Sequence, residues 1–179
     1  MNLPQIITDT RERPWPHVWD KWIGKHCDLQ LGWSHPALKK PACLPTGDFT
    51  TPDAFIYDDT LDKVLFSPLR LVERKTASDL YGCMTSERER FEEMLIRVLD
   101  LKLVFGTDTI VVIEASYAST FEFGTVEHDM NPKAFEETIK AWQRRFCPFV
   151  FCNSEQHAAW FALTWLTGQE RIAETEEAK

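Results

Sequence analysis

What this chain lacks narrows its function before any motif is read. No apolar run approaches the roughly 20 residues needed to cross a bilayer. The opening MNLPQIITDT has no basic segment followed by an apolar stretch and a cleavage site. A soluble, unexported, cytoplasmic protein with no membrane partner is therefore expected. The five cysteines, Cys27, Cys43, Cys83, Cys147 and Cys152, form an odd set without a CxxC pair, which excludes a disulfide framework and a zinc ribbon. His26, Cys27, His35 and Cys43 lie close in sequence, yet their spacing matches no zinc pattern. Basic charge is also scarce. A net charge of -8 excludes a scaffold that grips nucleic acid by charge alone. It does not exclude a hydrolase in which bound divalent cations supply positive charge where a phosphate sits.

What is present suits one domain: 179 residues, 44% of them hydrophobic, can bury a core without metal or disulfide staples. Gln5 to Thr8 reads as a short buried strand. Residues 14-45 hold prolines at 14, 16, 36, 41 and 45 and tryptophans at 15, 19, 22 and 33, an irregular insertion with a short helix from His17 to Gly24. Its aromatics either stack on bases or cover the core. Ala54 to Tyr57 and Leu69 to Lys75 read as strands with a polar loop over 58-63. Phe91, Met94, Leu95, Val98 and Leu99 recur at helical spacing. Thr109 to Ala115 is a near-continuous apolar run, as in a strand covered on both faces.

Asn131 and Pro132 open a further helix with Phe135, Ile139, Trp142 and Phe146 on its inner stripe. A strand from Phe149 to Cys152 follows. Ser154 caps a last helix that points Ala158, Phe161, Ala162 and Trp165 inward and stops at Gly168. Alternating strands and helices call for an α/β fold, a central mixed sheet flanked by helices on both faces. The domain then covers 1-168, and 169-179 is an acidic, solvated tail.

Chemistry concentrates in one strand. Alternation puts Glu73 and Lys75 on the same face, roughly 7 Å apart, and Arg74 on the other. Phosphodiester hydrolysis needs hard oxygen ligands for a divalent cation, a group that orients water and a cation near the developing charge. Glu73 and Lys75 supply one carboxylate and one ammonium. Asp48, beside Gly47, can supply a second carboxylate from a neighbouring strand end, with Gly47 allowing close backbone approach.

The full constellation is Gly47-Asp48, then Glu73-Arg74-Lys75, then Asp79. It resembles the GDx(n)ERKxxxD signature of XPF-type structure-specific endonucleases. IITDTRE, with Asp9, Arg11 and Glu12, resembles that family's first strand and its D-x-R-E turn. TIVVIEA and the segment from KAFEET to QHAAW resemble its later strands and helices. LPTGDF and GCMTSERERF look most like stand-alone bacterial and phage members, which points to a bacterial cell or a phage-infected host.

The resemblance implies a restriction-endonuclease-like core of the PD-(D/E)xK type. It implies a Mg²⁺- or Mn²⁺-dependent endonuclease acting on DNA, with branched or flap DNA in repair, recombination or phage DNA processing as the substrate class. Asp48, Glu73 and the carbonyl of Arg74 would hold the metal, and Lys75 would position water or stabilise charge. Asp79, Asp9, Arg11 and Glu12 would support the site as outer ligands or by orienting Lys75, with Arg11 also placed to meet DNA. The Arg74 side chain would pair with an acid behind the strand. Arg88 and Arg90 either reach DNA phosphates or form a solvated helix face with Glu87, Glu89 and Glu93.

The stretch between Asp48 and Glu73 is long enough for an extra hairpin. None of the seven glycines forms the Gly-x-Gly pair of a helix-hairpin-helix module, so DNA affinity would come from this domain, a homodimer or a partner protein. Two other readings remain: a non-catalytic DNA-binding or partner-positioning module, and a nuclease acting on RNA.

Overall fold

The computed structural model describes residues 3–9 and 27–168. The expected helix from His17 to Gly24 and the acidic tail lie outside these residues, as do Arg11 and Glu12.

The chain forms β1 (Gln5–Thr8), β2 (Asp28–Leu31), β3 (Phe49–Thr50), β4 (Phe55–Asp58), β5 (Lys63–Phe66), β6 (Arg70–Lys75), α1 (Ala77–Met84), α2 (Arg88–Phe105), β7 (Asp108–Ile113), α3 (Tyr117–Glu122), a π-helical turn (Phe123–Glu127), α4 (Pro132–Arg145), β8 (Phe149–Phe151) and α5 (Glu155–Thr167). Six strands make one mixed sheet in the order β2-β1-β3-β6-β7-β8. β3 runs antiparallel to both β1 and β6, while β6, β7 and β8 are parallel.

Strand alternation divides the core in two. On one face Ile7, Leu71, Val111 and Ile113 pack with Leu80 of α1, Phe91, Leu95 and Val98 of α2, and Phe135, Ile139 and Trp142 of α4. On the other, Ile6, Val72, Ile110 and Val112 pack with Ala158, Ala162, Leu163 and Leu166 of α5. Each fully buried aliphatic side chain contributes about 1.5–3 kcal/mol. The continuous run in β7 is apolar because both of its faces are covered.

One expectation is met and three need correction. The extra hairpin that the stretch between Asp48 and Glu73 allows is present as β4–β5, with the loop over 58-63 at its tip, Ile56 paired to Leu65 and Tyr57 to Val64. Its outer face leaves Ile56 of β4 and Leu65 of β5 exposed, so apolar residues on both sides of β5 hide its alternation. The predicted insertion contributes β2, which pairs in parallel with β1 as the sheet's edge. Within it, Trp33 stacks on Phe55 at 5.3 Å and packs against the core, which favours the core-covering role for that residue.

The segments VERKTASDLYGCM and ERERFEEML, which together resemble one helix after the signature, form two, because Thr76 and Asp79 close a capping box that starts α1, and α1 ends at Met84 before α2 begins at Arg88. In α5 the buried stripe is Ala158, Ala159, Ala162, Leu163 and Leu166, leaving Phe161 and Trp165 half-buried. Small residues let the helix sit close to the sheet, so the bulky rings are turned toward its margin.

Candidate active site

The candidate side chains Asp9, Asp48, Glu73 and Lys75 meet where β1 ends, β3 begins and β6 ends. The Asp9 amide donates to the Asp48 carbonyl at 2.9 Å, and the Asp48 amide donates to the Val72 carbonyl at 2.8 Å. These two bonds fix Asp48 between β1 and β6. Its side chain turns to β6 as well, accepting from the Arg74 amide at Oδ2 over 2.7 Å. Gly47 makes that approach possible. Its φ is +75°, and a Cβ there would lie 2.7 Å from the Leu71 side chain.

Asp9, Asp48, Glu73 and Lys75 line one cavity of about 250 Å³, together with Thr46, Gly47, Cys83, Glu87, Arg90, Phe91 and Arg97. Asp9, Asp48 and Glu73 are 4%, 8% and 7% exposed, so three carboxylates are buried at its wall. Lys75 Nζ bonds Glu73 Oε1 at 2.5 Å and lies 5.6 Å from the centre of the Phe91 ring. Burial alone would lower the Lys75 pKa, but the carboxylates of Glu73 and Asp48 outweigh it and hold the pKa above the ordinary lysine value. Lys75 is therefore an ammonium, a donor and a charge, and not a base. The cavity and the charge on Lys75 together tie the acids from β3 and β6 to one place.

The donor chemistry fits a hard divalent cation. Oxygen ligands are at hand in Asp48, Glu73 and the adjoining main chain at Arg74. Of the two sulfurs at the cavity, the Met94 thioether is too soft for such a cation, and burial pushes the Cys83 thiol's pKa up to about 12, so it offers no thiolate. Among the described residues no three His, Cys, Asp or Glu side chains stand in common ligating reach. Two carboxylates completed by main-chain carbonyl and water suit Mg²⁺, which keeps several waters.

Other candidates sort by position. Arg74 Nη1 pairs with Glu114 Oε1 at 3.2 Å on the face of β6 turned away from the cavity, as expected. Asp79 caps α1, its Oδ2 accepting from the Thr76 amide at 3.2 Å, and lines a neighbouring cavity. It thus braces the turn that follows Lys75. Arg88 pairs with Glu92 at 3.0 Å and lies 5.9 Å from the Trp142 ring centre, away from the cavity lining. Arg90 is at the cavity, 85% exposed, with only a 3.9 Å approach to Glu87.

Two residues escaped the sequence reading. Arg97 stands seven positions after Arg90, two helical turns along α2, and that i, i+7 spacing was a usable signal. Thr46 is 4% exposed, and its hydroxyl has no hydrogen-bond partner among the described residues. Nothing in the sequence marks it beyond its place before Gly47-Asp48.

No helix of the described residues is long and apolar enough to cross a membrane. No protein-family model and no curated protein matches the chain. Its fold is similar to that of XPF from Aeropyrum pernix, at 16% identity and a TM-score of 0.57, covering 98% of this chain and 69% of that one. At that identity the likeness establishes the fold: a mixed sheet flanked by helices, the restriction-endonuclease-like core.

Proposed function

We propose that the chain is a Mg²⁺- or Mn²⁺-dependent DNA endonuclease. One observation carries this reading: Asp48, Glu73 and Lys75, separated in sequence, line a single open cavity rimmed by Arg90 and Arg97. Asp48, Glu73 and the Arg74 carbonyl would hold the cation, which supplies Lewis-acid stabilisation and lowers the pKa of water when bound. Lys75, kept charged by its two acidic neighbours, hydrogen-bonds the attacking water or the non-bridging oxygen that gains charge. Arg90 and Arg97 meet backbone phosphates on either side of the cut.

Asp9 orients this set and Asp79 holds the turn after Lys75, while the resemblance to the signature implies a supporting role for Glu12 and a DNA contact for Arg11. Flap or forked DNA is the substrate class that the signature suggests, with a homodimer or partner protein adding affinity. The test is a cleavage panel of single-stranded, duplex, flap and forked DNA with Mg²⁺ or Mn²⁺, run beside Asp48→Asn and a matched RNA set. Cleavage of DNA that the variant lacks is the expected result. Binding without cleavage by either protein would leave a positioning module, and faster cleavage of RNA would reassign the substrate.

A further inference from the structure

A second cavity, of about 430 Å³, adjoins the first and shares Lys75, Cys83 and Glu87 with it. Its remaining wall is Ser78, Asp79, Tyr81, Gly82, Thr85, Ser86, Phe123 and His128. Three of these are rings that touch one another. Tyr81 and His128 stack at 4.5 Å and 25°, Phe123 tilts against His128 at 4.5 Å, and Tyr81 meets Phe123 edge-on at 6.0 Å. His128 is exposed, and Tyr81 and Phe123 are half-buried, so the cluster lies at the surface and outside the core.

Two further observations favour a ligand over packing. Phe123 stands at the start of the π-helical turn, and His128 follows its end. Single π turns are energetically poor and concentrate at functional sites. The polar wall also selects among ligands. Asp79 and Glu87 repel a phosphate, whereas Ser78, Thr85, Ser86 and the two carboxylates accept hydrogen bonds from the edge of a base. Aromatic faces stack on every base alike.

We propose that this cavity receives an unpaired nucleobase, stacked on the Tyr81–His128 platform, from the nucleotide next to the phosphate held at Lys75. The inference rests on the endonuclease reading for the position of the strand. A base within a duplex cannot reach such a surface without leaving its own stack, so the site selects DNA that is unpaired beside the cut.

The experiment measures binding of fluorescent oligothymidine and of a strand of equal length built of abasic tetrahydrofuran units, in Ca²⁺. Both carry the same phosphates, so their difference reports the bases. The expected result is ~10-fold weaker binding of the abasic strand by the wild-type protein. His128→Ala, an exposed change, should remove most of that difference and leave the melting temperature unchanged, and Tyr81→Ala should do the same where it folds. Equal binding of the two strands by the wild-type protein, or a full difference retained by His128→Ala, overturns the proposal. Cleavage with Mg²⁺ is read separately. Base-dependent binding without cleavage removes the hydrolytic reading and leaves the platform, while cleavage indifferent to bases does the reverse.

Discussion

Strand β6 carries two ion pairs, one on each face, and they differ in almost nothing but their surroundings. The side chains of Glu73 and Lys75 are 9% and 17% exposed, and those of Glu114 and Arg74 are 9% and 12% exposed. The first pair borders a cavity that also holds Asp9, Asp48 and two arginines. The second ties β6 to the end of β7 on the face that α5 covers. A buried ion pair by itself is weak evidence of function, because the same chemistry serves as a fastening. A second carboxylate and an opening to solvent make one of them a candidate site.

Breaking each pair in turn should separate the two roles most widely. Glu73→Gln and Asp48→Asn are expected to lower single-turnover cleavage by ~10³-fold or more, the scale of losing a group that stabilises the transition state. Glu114→Gln should leave cleavage within a few-fold. Comparable losses from all three would erase the contrast between the faces.

Stability should show the opposite order. Glu114→Gln strips a partner from a buried guanidinium and is expected to cost about 3 kcal/mol in urea unfolding. In Glu73→Gln, Lys75 keeps the charge of Asp48, so the loss is smaller. Mg²⁺ at 100 times its dissociation constant should stabilise the wild-type protein by about 2.7 kcal/mol and leave Asp48→Asn nearly unmoved. A shift of equal size in both proteins would place the cation elsewhere.

The same two faces explain what could be read from sequence. Glu73 and Lys75 were legible because strand alternation is local, and the run in β7 because burial on both sides leaves no polar position. The partner of Arg74 was expected only as an acid behind the strand, since the pairing of β6 with β7 that delivers Glu114 is a matter of register. Arg97 is not singled out by the sequence, because helical periodicity describes a helix against its core and says nothing of a cavity at its flank. Thr46 was invisible for a similar reason: its burial depends on how three strand ends converge. The β4–β5 hairpin is legible as extra length between Asp48 and Glu73, but its second strand is not, because its outer face is as apolar as its inner one, with Ile56 and Leu65 both exposed.

At the rim, the expected effects are smaller. Arg90→Ala and Arg97→Ala should each weaken DNA binding about equally across sequences and reduce the slope of log affinity against log salt by about 1. Arg88→Ala, which loses the Glu92 pair and the contact with the Trp142 ring, should leave that slope unchanged. A change for Arg88 matching that for Arg97 would mean that the strand crosses α2 on a different path.

The smallest effect concerns the thiols, which the two halves of the core hide to similar degrees. Cys43 is exposed, and Cys83, Cys147 and Cys152 are buried. Burial pushes the Cys147 thiol from 9.0 up to about 12 and raises that of Cys152 as well. Thiolates are the reactive form, so Cys43 should be alkylated first in the native protein and the buried set only on unfolding. Cys83 should precede Cys147, because it alone of these buried thiols lines the cavities. The shift also fixes a sign. A thiol kept neutral in the fold but ionised when unfolded supports the fold fully below pH 9, and that support is lost as pH rises from 9 toward about 12. Unfolding free energy measured across this window should therefore fall less steeply for Cys147→Ala than for the wild-type protein, whatever the substitution does at pH 8. Parallel slopes would mean that the Cys147 thiol ionises as readily inside the fold as outside it.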